Sequence, residues 1–539
     1  MASRAASVPL FVLALGLAAC SGGGGGGSAP VASLPPLQPV TSTVSGVSPF
    51  AAGCGDANGT LFVNAEVEPS LAADPANPGH LLAMWQQDRW SNGSARGLVS
   101  AVSFDGGATW SRGAMAFSRC GGGTAANGGD FDRATDPWVD FGPGGTAWAM
   151  SLSTTGASSA PGSTNAMLVA RSADGGRTWG NSVPLIADNE LFFNDKNALT
   201  ADPNDARFAY AVWDRLGQSG GGPAMFARTV DGGNSWEPAR ILFDPGTAAQ
   251  TIGNLVVVVT GGALVNVTTR IEEPAGRPRT ASIIALRSVD RGTTWSDPVQ
   301  VATHLAVGAR DPETGAAIRD GAILLNAAAG PGGTLHVVWQ DSRFTRGLRD
   351  AIAYSRSDDG GLTWSAPVRV SPDATVSAFT PTVRVLADAT IGVTYFDLRD
   401  NTASPATLPA GYWLARSADG VTWTETRLAG PFDLATAPNA GGLFLGDYMG
   451  LAGSGSAFLS LFVRTTGDLA NRNDVFFVRA AATSAAIAQG KGIASDGAWP
   501  GRWVAKAAAP FEVDAAWGAR VDAAIARALA ARGRPSPSR

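Results

Sequence analysis

Cysteine, histidine and tyrosine are all scarce in this chain, whose 539 residues hold three, three and five of them respectively. His80, His304 and His336 are scattered without ligand spacing relative to one another or to the cysteines, so neither a zinc site nor a thiol nucleophile with a paired base is indicated. Charge is thin as well. Asp, Glu, Lys and Arg make up 16% of the chain with a formal net charge of −5, which leaves no basic footprint for nucleic acid. The long apolar run from Val8 to Ala19 is too short for an ordinary transmembrane helix. What the chain has in excess is glycine, with 68 residues, and tryptophan, with 16. Short strands, tight turns and aromatic packing account for that combination. The roughly 520 residues after the apolar run exceed one small core, and imply several domains or one repeat architecture.

The N-terminus sets the compartment. One positive charge at Arg4, the apolar run and its small-residue ending read as a signal peptide over residues 1–19. Leu17-Ala18-Ala19-Cys20 resembles a lipobox, which implies that Cys20 is diacylated and becomes the first mature residue. Ser21 follows rather than Asp, which favours the outer membrane in a host that has one. The lipid on Cys20 is then the membrane attachment, and residues 20–59, with six glycines and then Ser and Pro, read as a flexible tether. Cys54 and Cys120 remain as a pair in an oxidising compartment, where a disulfide is expected; two buried free thiols are the other reading.

An internal repeat decides the architecture. Ser103-Phe-Asp105-Gly-Gly-Ala-Thr109-Trp110 recurs at Ser172 to Trp179, Thr229 to Trp236, Ser288 to Trp295 and Ser357 to Trp364, and one residue shorter at Ser417 to Trp423. Successive Asp residues are 69, 57, 59, 69 and 60 positions apart, enough for four short strands and their turns. The residue types suit a tight turn: Asp accepts backbone N–H groups, the glycines supply positive φ, and Trp packs under the next hairpin. The pattern is similar to the Asp box, or BNR repeat, of sialidases and related glycoside hydrolases, over about residues 60 to 484. That resemblance implies a β-propeller whose boxes join the third and fourth strands of each blade, on the face opposite the active site, as scaffold.

Strands precede each box, as at Gly97 to Ser103 and Ala351 to Ser357, and seven longer apolar strands recur upstream, the last being Ala457 to Arg464. The expected fold is therefore all-β: a single propeller over residues 60–484, with seven blades or alternatively the six of sialidases. An N-terminal strand, Thr60 to Glu66, is expected to close the last blade and remove the open edges. In the Ala-rich extension, residues 485–539, Val513, Trp517, Val521, Ile525 and Leu529 fall at i+4 spacing and predict a helix over residues 512–532 docked on the propeller. The tail from Gly533 is polar.

Two polar series fall at the opposite end from the boxes. Asp88-Arg89, Asp214-Arg215, Asp341-Ser-Arg343 and Asp397-Leu-Arg399 repeat, which suits inter-blade ion pairs, with one or two arginines free to reach a ligand. The second series begins each blade and does not repeat: Glu68, Arg133 with Asp136, Asp195 with Lys196, Arg319 with Asp320, and Asp447 with Tyr448. One-off charges converging on the mouth of a ring suit a ligand site, whereas carboxylates at strand starts also cap backbone or hold a structural calcium ion. The sialidase resemblance implies Tyr448, in Gly446-Asp-Tyr-Met-Gly450, as nucleophile activated by Glu68, with Asp136 as acid/base. It also implies Arg133 and Arg319 as clamps on a sugar carboxylate, with Asp195, Asp320 and Asp447 in the substrate site. No Phe-Arg-Ile-Pro-type motif supplies the family's first arginine. Three functions stay open: an exo-α-sialidase-type hydrolase of extracellular glycans, a different carboxylate-pair glycoside hydrolase, and a non-catalytic glycan- or protein-binding surface propeller. No cofactor, bound catalytic metal or nucleic acid is expected, and the chain is expected to be a monomer.

Overall fold

A computed structural model describes residues 34–55, 58–482 and 502–532. The signal peptide, Cys20 and the tail from Gly533 lie outside the described residues. Seven four-stranded antiparallel units follow one another: residues 67–114, 133–189, 192–243, 249–304, 325–369, 378–433, and 450–482 completed by 37–43. They are blades 1 to 7 below. Each blade's first strand packs beside that of the next, and Gly450–Ser454 of blade 7 packs on Val67–Ala73 of blade 1, so the ring closes with the first strands around its axis.

The strand that completes blade 7 is Leu37–Thr43, paired with Asn471–Ala482 from Leu37↔Ala482 to Thr43↔Phe476. This corrects the assignment of that role to Thr60–Glu66, and it places a strand within the stretch read as tether. An outermost strand needs one buried face only, so Leu37 is covered while Val40 is 68% exposed, and its sequence Leu-Gln-Pro-Val-Thr-Ser-Thr carries little apolar signal. The apolar stretch after Thr60 instead crosses from blade 7 to blade 1: Ala65 bridges Asn473, and Leu61–Phe62 pairs with Trp90 and Arg89.

Antiparallel pairing puts the first strand's start and the turn between strands three and four at opposite ends of a blade. Every Asp box occupies the latter turn. In blade 1 Asp105 accepts from the Thr109 amide (2.9 Å), the Thr109 hydroxyl (2.6 Å) and the Ser103 hydroxyl (2.8 Å), while Ser103 Oγ accepts from the Gly107 amide. The same set recurs at Asp174, Asp231, Asp290 and Asp359. These bonds hold the box carboxyls down at about 2. Trp85, Trp148, Trp213 and Trp339 on second strands, and Trp423 of the shortened box, are fully buried between blades.

After blade 7 the chain returns as a helix, Ala515–Ala531, capped by Asp514, whose side chain accepts from the Trp517 amide at 2.7 Å. The cap leaves Val513 outside the helix and exposed, correcting its place in the apolar stripe. Trp517, Val521, Ile525 and Leu529 are buried against Ile252, Leu305, Val307, Ile323 and Leu324 from blade 4 and the 4–5 connection. Among the described residues no helix is long and apolar enough to cross a membrane. Cys54 and Cys120 form a disulfide, tying the blade 7–blade 1 crossing to the connection between blades 1 and 2.

Candidate functional site at the mouth of the ring

The first strands share a local irregularity. Register shifts occur just after Val67, Thr135, Asp195, Ile252 and Phe379, and at each one the next residue is left-handed. Glu68, Asp136, Lys196 and Thr380 have φ between 49° and 54°, and Gly253 serves in blade 4 at 70°. A bulge adds a residue and re-aims its side chain, here toward the axis. Glycine adopts the conformation without strain, whereas Glu, Asp, Lys and Thr do so at a cost of about 1–3 kcal/mol each.

Three of the four strained residues meet. Lys196 Nζ lies 2.8 Å from Asp136 Oδ1, 2.9 Å from Asp447 Oδ2 and 3.3 Å from Glu68 Oε1, all buried. Asp447 also takes two bonds from Arg319, at 2.8 and 3.2 Å, and its Oδ1 lies 2.9 Å from Nη2 of Arg532 at the end of the C-terminal helix. Glu68 accepts from the Gln86 side chain and from the Asp447 amide, and Gln86 in turn accepts from Arg89 at 2.6 Å. The cation these carboxylates gather around is thus the chain's own ammonium group.

Electrostatics separate the carboxyls. Burial pushes Glu68 up to about 8, against the pull of Lys196. Burial acts on Asp136 as well, but the charge and hydrogen bond of Lys196, together with a side-chain bond from Glu68, bring it below its ordinary value. Asp447 is held far below the carboxylate range because Arg319, Arg532 and Lys196 outweigh burial. Arg89, desolvated and close to Arg319, falls to about 10. Glu68 and Asp136 therefore stand side by side as an acid and a carboxylate.

Over this cluster lies a cleft of about 240 Å³ lined by Arg89, Arg133, Lys196, Arg319 and Arg532 with Asp136 and Asp195. On its other side an axial cavity of about 40 Å³ is bounded by Lys196, Asp447, Tyr448 and Trp138. Tyr448 is on the axial side. Its hydroxyl donates to the Pro137 carbonyl (3.4 Å), its ring meets Trp138 at 5.7 Å, and burial with the nearby Glu68 and Asp136 raises its proton affinity.

The structure brings together Glu68, Asp136, Asp447 and Arg319 from the sequence-derived set, with Tyr448 beneath them. Arg133 reaches the cleft but spends its guanidinium on Asn92 and the Gly93 carbonyl, both at 2.8 Å, over the Trp90 ring. Asp195 lines the cleft, whereas Asp320 lies apart, accepting from the Ala309 and Ala322 amides and from Gln340. Of the repeated pairs, Arg343 and Arg399 bind the aspartates two positions before them, Arg215 binds Asp188, and only Arg89 turns into the cluster. Lys196 was named in sequence only as the neighbour of Asp195, and Arg532 not at all. The one-off character of Lys196 was the available signal; Arg532 has none, since it ends an unremarkable Ala/Arg run.

No protein-family model matches the chain, and no curated protein does. Among solved structures, a protein of unknown function from Dyadobacter fermentans is 14% identical with a TM-score of 0.45, over 84% of this chain and 100% of that one. An α-L-arabinanase from Penicillium chrysogenum, complexed with arabinobiose, is 17% identical with a TM-score of 0.42, over 66% and 94%. A sialidase from Trypanosoma rangeli, in complex with sialic acid, is 15% identical with a TM-score of 0.40, over 83% and 60%.

Proposed function

We propose that the protein is a glycoside hydrolase that acts on acidic glycans, of exo-α-sialidase type, with the cleft over Glu68 and Asp136 as its active site. The observation that carries this reading is the neighbouring carboxyl pair of opposed proton affinity beneath a cleft whose lining holds five cationic side chains and two carboxylates. Glu68 is protonated near neutral pH and suits proton donation to a leaving oxygen. Arg89 and Arg532, each with donors left unused, suit a sugar carboxylate as a charge-assisted partner, whereas Arg319, expected as a clamp, is spent on Asp447 and the Ala440 and Ala531 carbonyls. The carboxyl pair exchanges the roles expected from sequence, with Glu68 as the acid and Asp136 as the carboxylate, and it leaves Tyr448, across the ion cluster with its hydroxyl on the Pro137 carbonyl, without the nucleophile's role in this cleft. The disulfide supports an oxidising compartment, and with it export and anchoring through Cys20.

A non-catalytic glycan-binding propeller is the second reading, favoured by Lys196 and Arg319, which neutralise the carboxylates they touch. Fluorogenic sialosides, uronides and arabinofuranosides, assayed on the purified protein and on folded Glu68→Gln and Asp136→Asn variants, separate the two. The hydrolase reading requires turnover of an acidic glycoside that falls at least about a hundredfold in either variant. Absence of turnover on the whole panel overturns it.

A further inference from the structure

On the Asp-box face, at the opposite end of the blades from the mouth, the seams between blades are closed in a regular way. At three of the six boxes the Trp meets an aromatic ring on the third strand of the preceding blade: Trp295 on Phe226 at 5.6 Å, Trp423 on Tyr354 at 5.5 Å, Trp110 on Phe477 at 5.5 Å. The residue before the box Ser or Thr is often an arginine that bonds across the seam. Arg228 reaches the Arg291 carbonyl and Arg356 reaches the Asp419 carbonyl, each in the next blade's box.

The seam between blades 2 and 3 departs from both rules, as does that between blades 4 and 5, where Ala285 and Arg287 hold the same two positions. Val169 stands three positions before Ser172, where blades 3 and 5 have Phe226 and Tyr354, and it fills less space. Trp236 meets Trp148 of the second strand instead, edge to face at 5.8 Å. Arg171, the counterpart of Arg228 and Arg356, makes no hydrogen bond or ion pair through its guanidinium among the described residues, and its Nε is buried without a partner. The result is a cleft of about 460 Å³ lined by Trp148, Val169, Arg171, Trp179, Asn181 and Trp236.

A half-exposed indole offers a flat apolar face to the C–H side of a pyranose, and an unpaired guanidinium beside it selects an anionic substituent by charge and bidentate geometry. We propose that this seam is a second carbohydrate site, separate from the mouth, that binds a sugar ring carrying a carboxylate: the ring stacks on Trp236 and the carboxylate pairs with Arg171. It binds without chemistry, since no carboxyl side chain lines the cleft. It would hold an acidic glycan against the scaffold, whether or not the mouth is catalytic.

Calorimetric titration of the full chain with glucuronate, a galacturonate trisaccharide and 3′-sialyllactose, with lactose as the neutral probe, tests this. The proposal expects saturable binding of at least one acidic probe, weakened about tenfold or more by Arg171→Gln and by Trp236→Ala, with lactose at least about tenfold weaker on the unmodified protein. Arg171→Gln changes one seam side chain with no partner to lose, so it keeps the variant pair informative if Trp236→Ala does not fold. Any turnover at the mouth should be unchanged in Arg171→Gln. Binding of none of the acidic probes up to about 50 mM overturns the proposal. So does acidic binding that survives Arg171→Gln in protein whose mouth is disabled by Arg532→Ala, or that is lost in Arg532→Ala at the mouth while intact in Arg171→Gln.

Discussion

Lys196 and Asp136, sixty positions apart in sequence, meet at 2.8 Å, and each is held there in a left-handed bulge at the start of its blade. Three of the four strained side chains converge, while the equivalent position of blade 4 is glycine. The ring geometry thus concentrates charge on one side of the axis, shared by blades 1, 2, 3 and 7.

Lys196→Met should therefore be among the most destabilising single changes in the propeller. It leaves Glu68, Asp136 and Asp447 buried around an apolar group, and removal of one partner of a buried ion pair costs about 3–5 kcal/mol. Thermal unfolding near neutral pH measures the loss. It should shrink as pH falls and the carboxyls take up protons, and an equal loss at every pH would count against an electrostatic origin.

Stability should fall as pH rises through neutrality. Glu68 has its folded proton affinity raised from 4.5 to about 8, and Asp350 from 3.8 to about 7. Between those limits the folded chain holds more protons than the unfolded one, so their contribution is complete below the unfolded values and is lost as pH climbs through the folded ones. The box aspartates act in the opposite sense: lowered from 3.8 to about 2, they contribute above the unfolded value and lose that contribution as pH falls toward 2. Tm against pH should peak on the acid side of neutrality and decline toward alkaline pH, and Glu68→Gln should flatten the alkaline limb.

The box tryptophans should not be equal. Trp423 is fully buried because the sixth box is one residue short and its Trp already lies in the strand Thr422–Asp433. Trp364 is half-buried. Trp423→Ala should cost about 3–5 kcal/mol and Trp364→Ala roughly half as much, and denaturant unfolding of the two variants gives the order directly.

The repeat was legible because each box must satisfy the same turn with the same short list of residues, and six copies expose the period. The one-off charges were legible for the converse reason: Glu68, Asp136 and Asp447 break the pattern. What escaped did so physically. Leu37–Thr43 is an edge strand whose outward face is polar, so its alternation is weak. Asp320 looked like Asp447 in sequence but turns to backbone amides, a difference fixed by the loop that follows it. Tyr448 was placed correctly at a blade start, yet which side of the ion cluster its ring occupies depends on packing with Trp138 across the axis.

Arg532 gives the last prediction. It is the residue that closes the helix Ala515–Ala531, and its side chain is only 2% exposed beside Asp447. Its Nη2 is within ion-pair distance of Asp447 but lacks hydrogen-bond geometry, and its Nε has no partner. Without it Asp447 keeps two bonds from Arg319 and contact with Lys196, though it loses one of the three charges that hold it ionised. Removing Arg532 therefore leaves Asp447 paired but less well compensated, and Arg532→Ala should lower Tm by less than Lys196→Met does. Arg532 is also a lining residue of the mouth cleft, and a carboxylate seated there would accept from these buried donors once the side chain turns outward. A charge-assisted bond of about 1.5–3 kcal/mol corresponds to a KM increase of roughly tenfold to a hundredfold for acidic substrates, with kcat much less affected, because the interaction is made with bound substrate and transition state alike. Neutral glycosides should show no change. Steady-state kinetics on matched acidic and neutral substrates tests it, and a loss of kcat at constant KM would move Arg532 from binding to the chemical step.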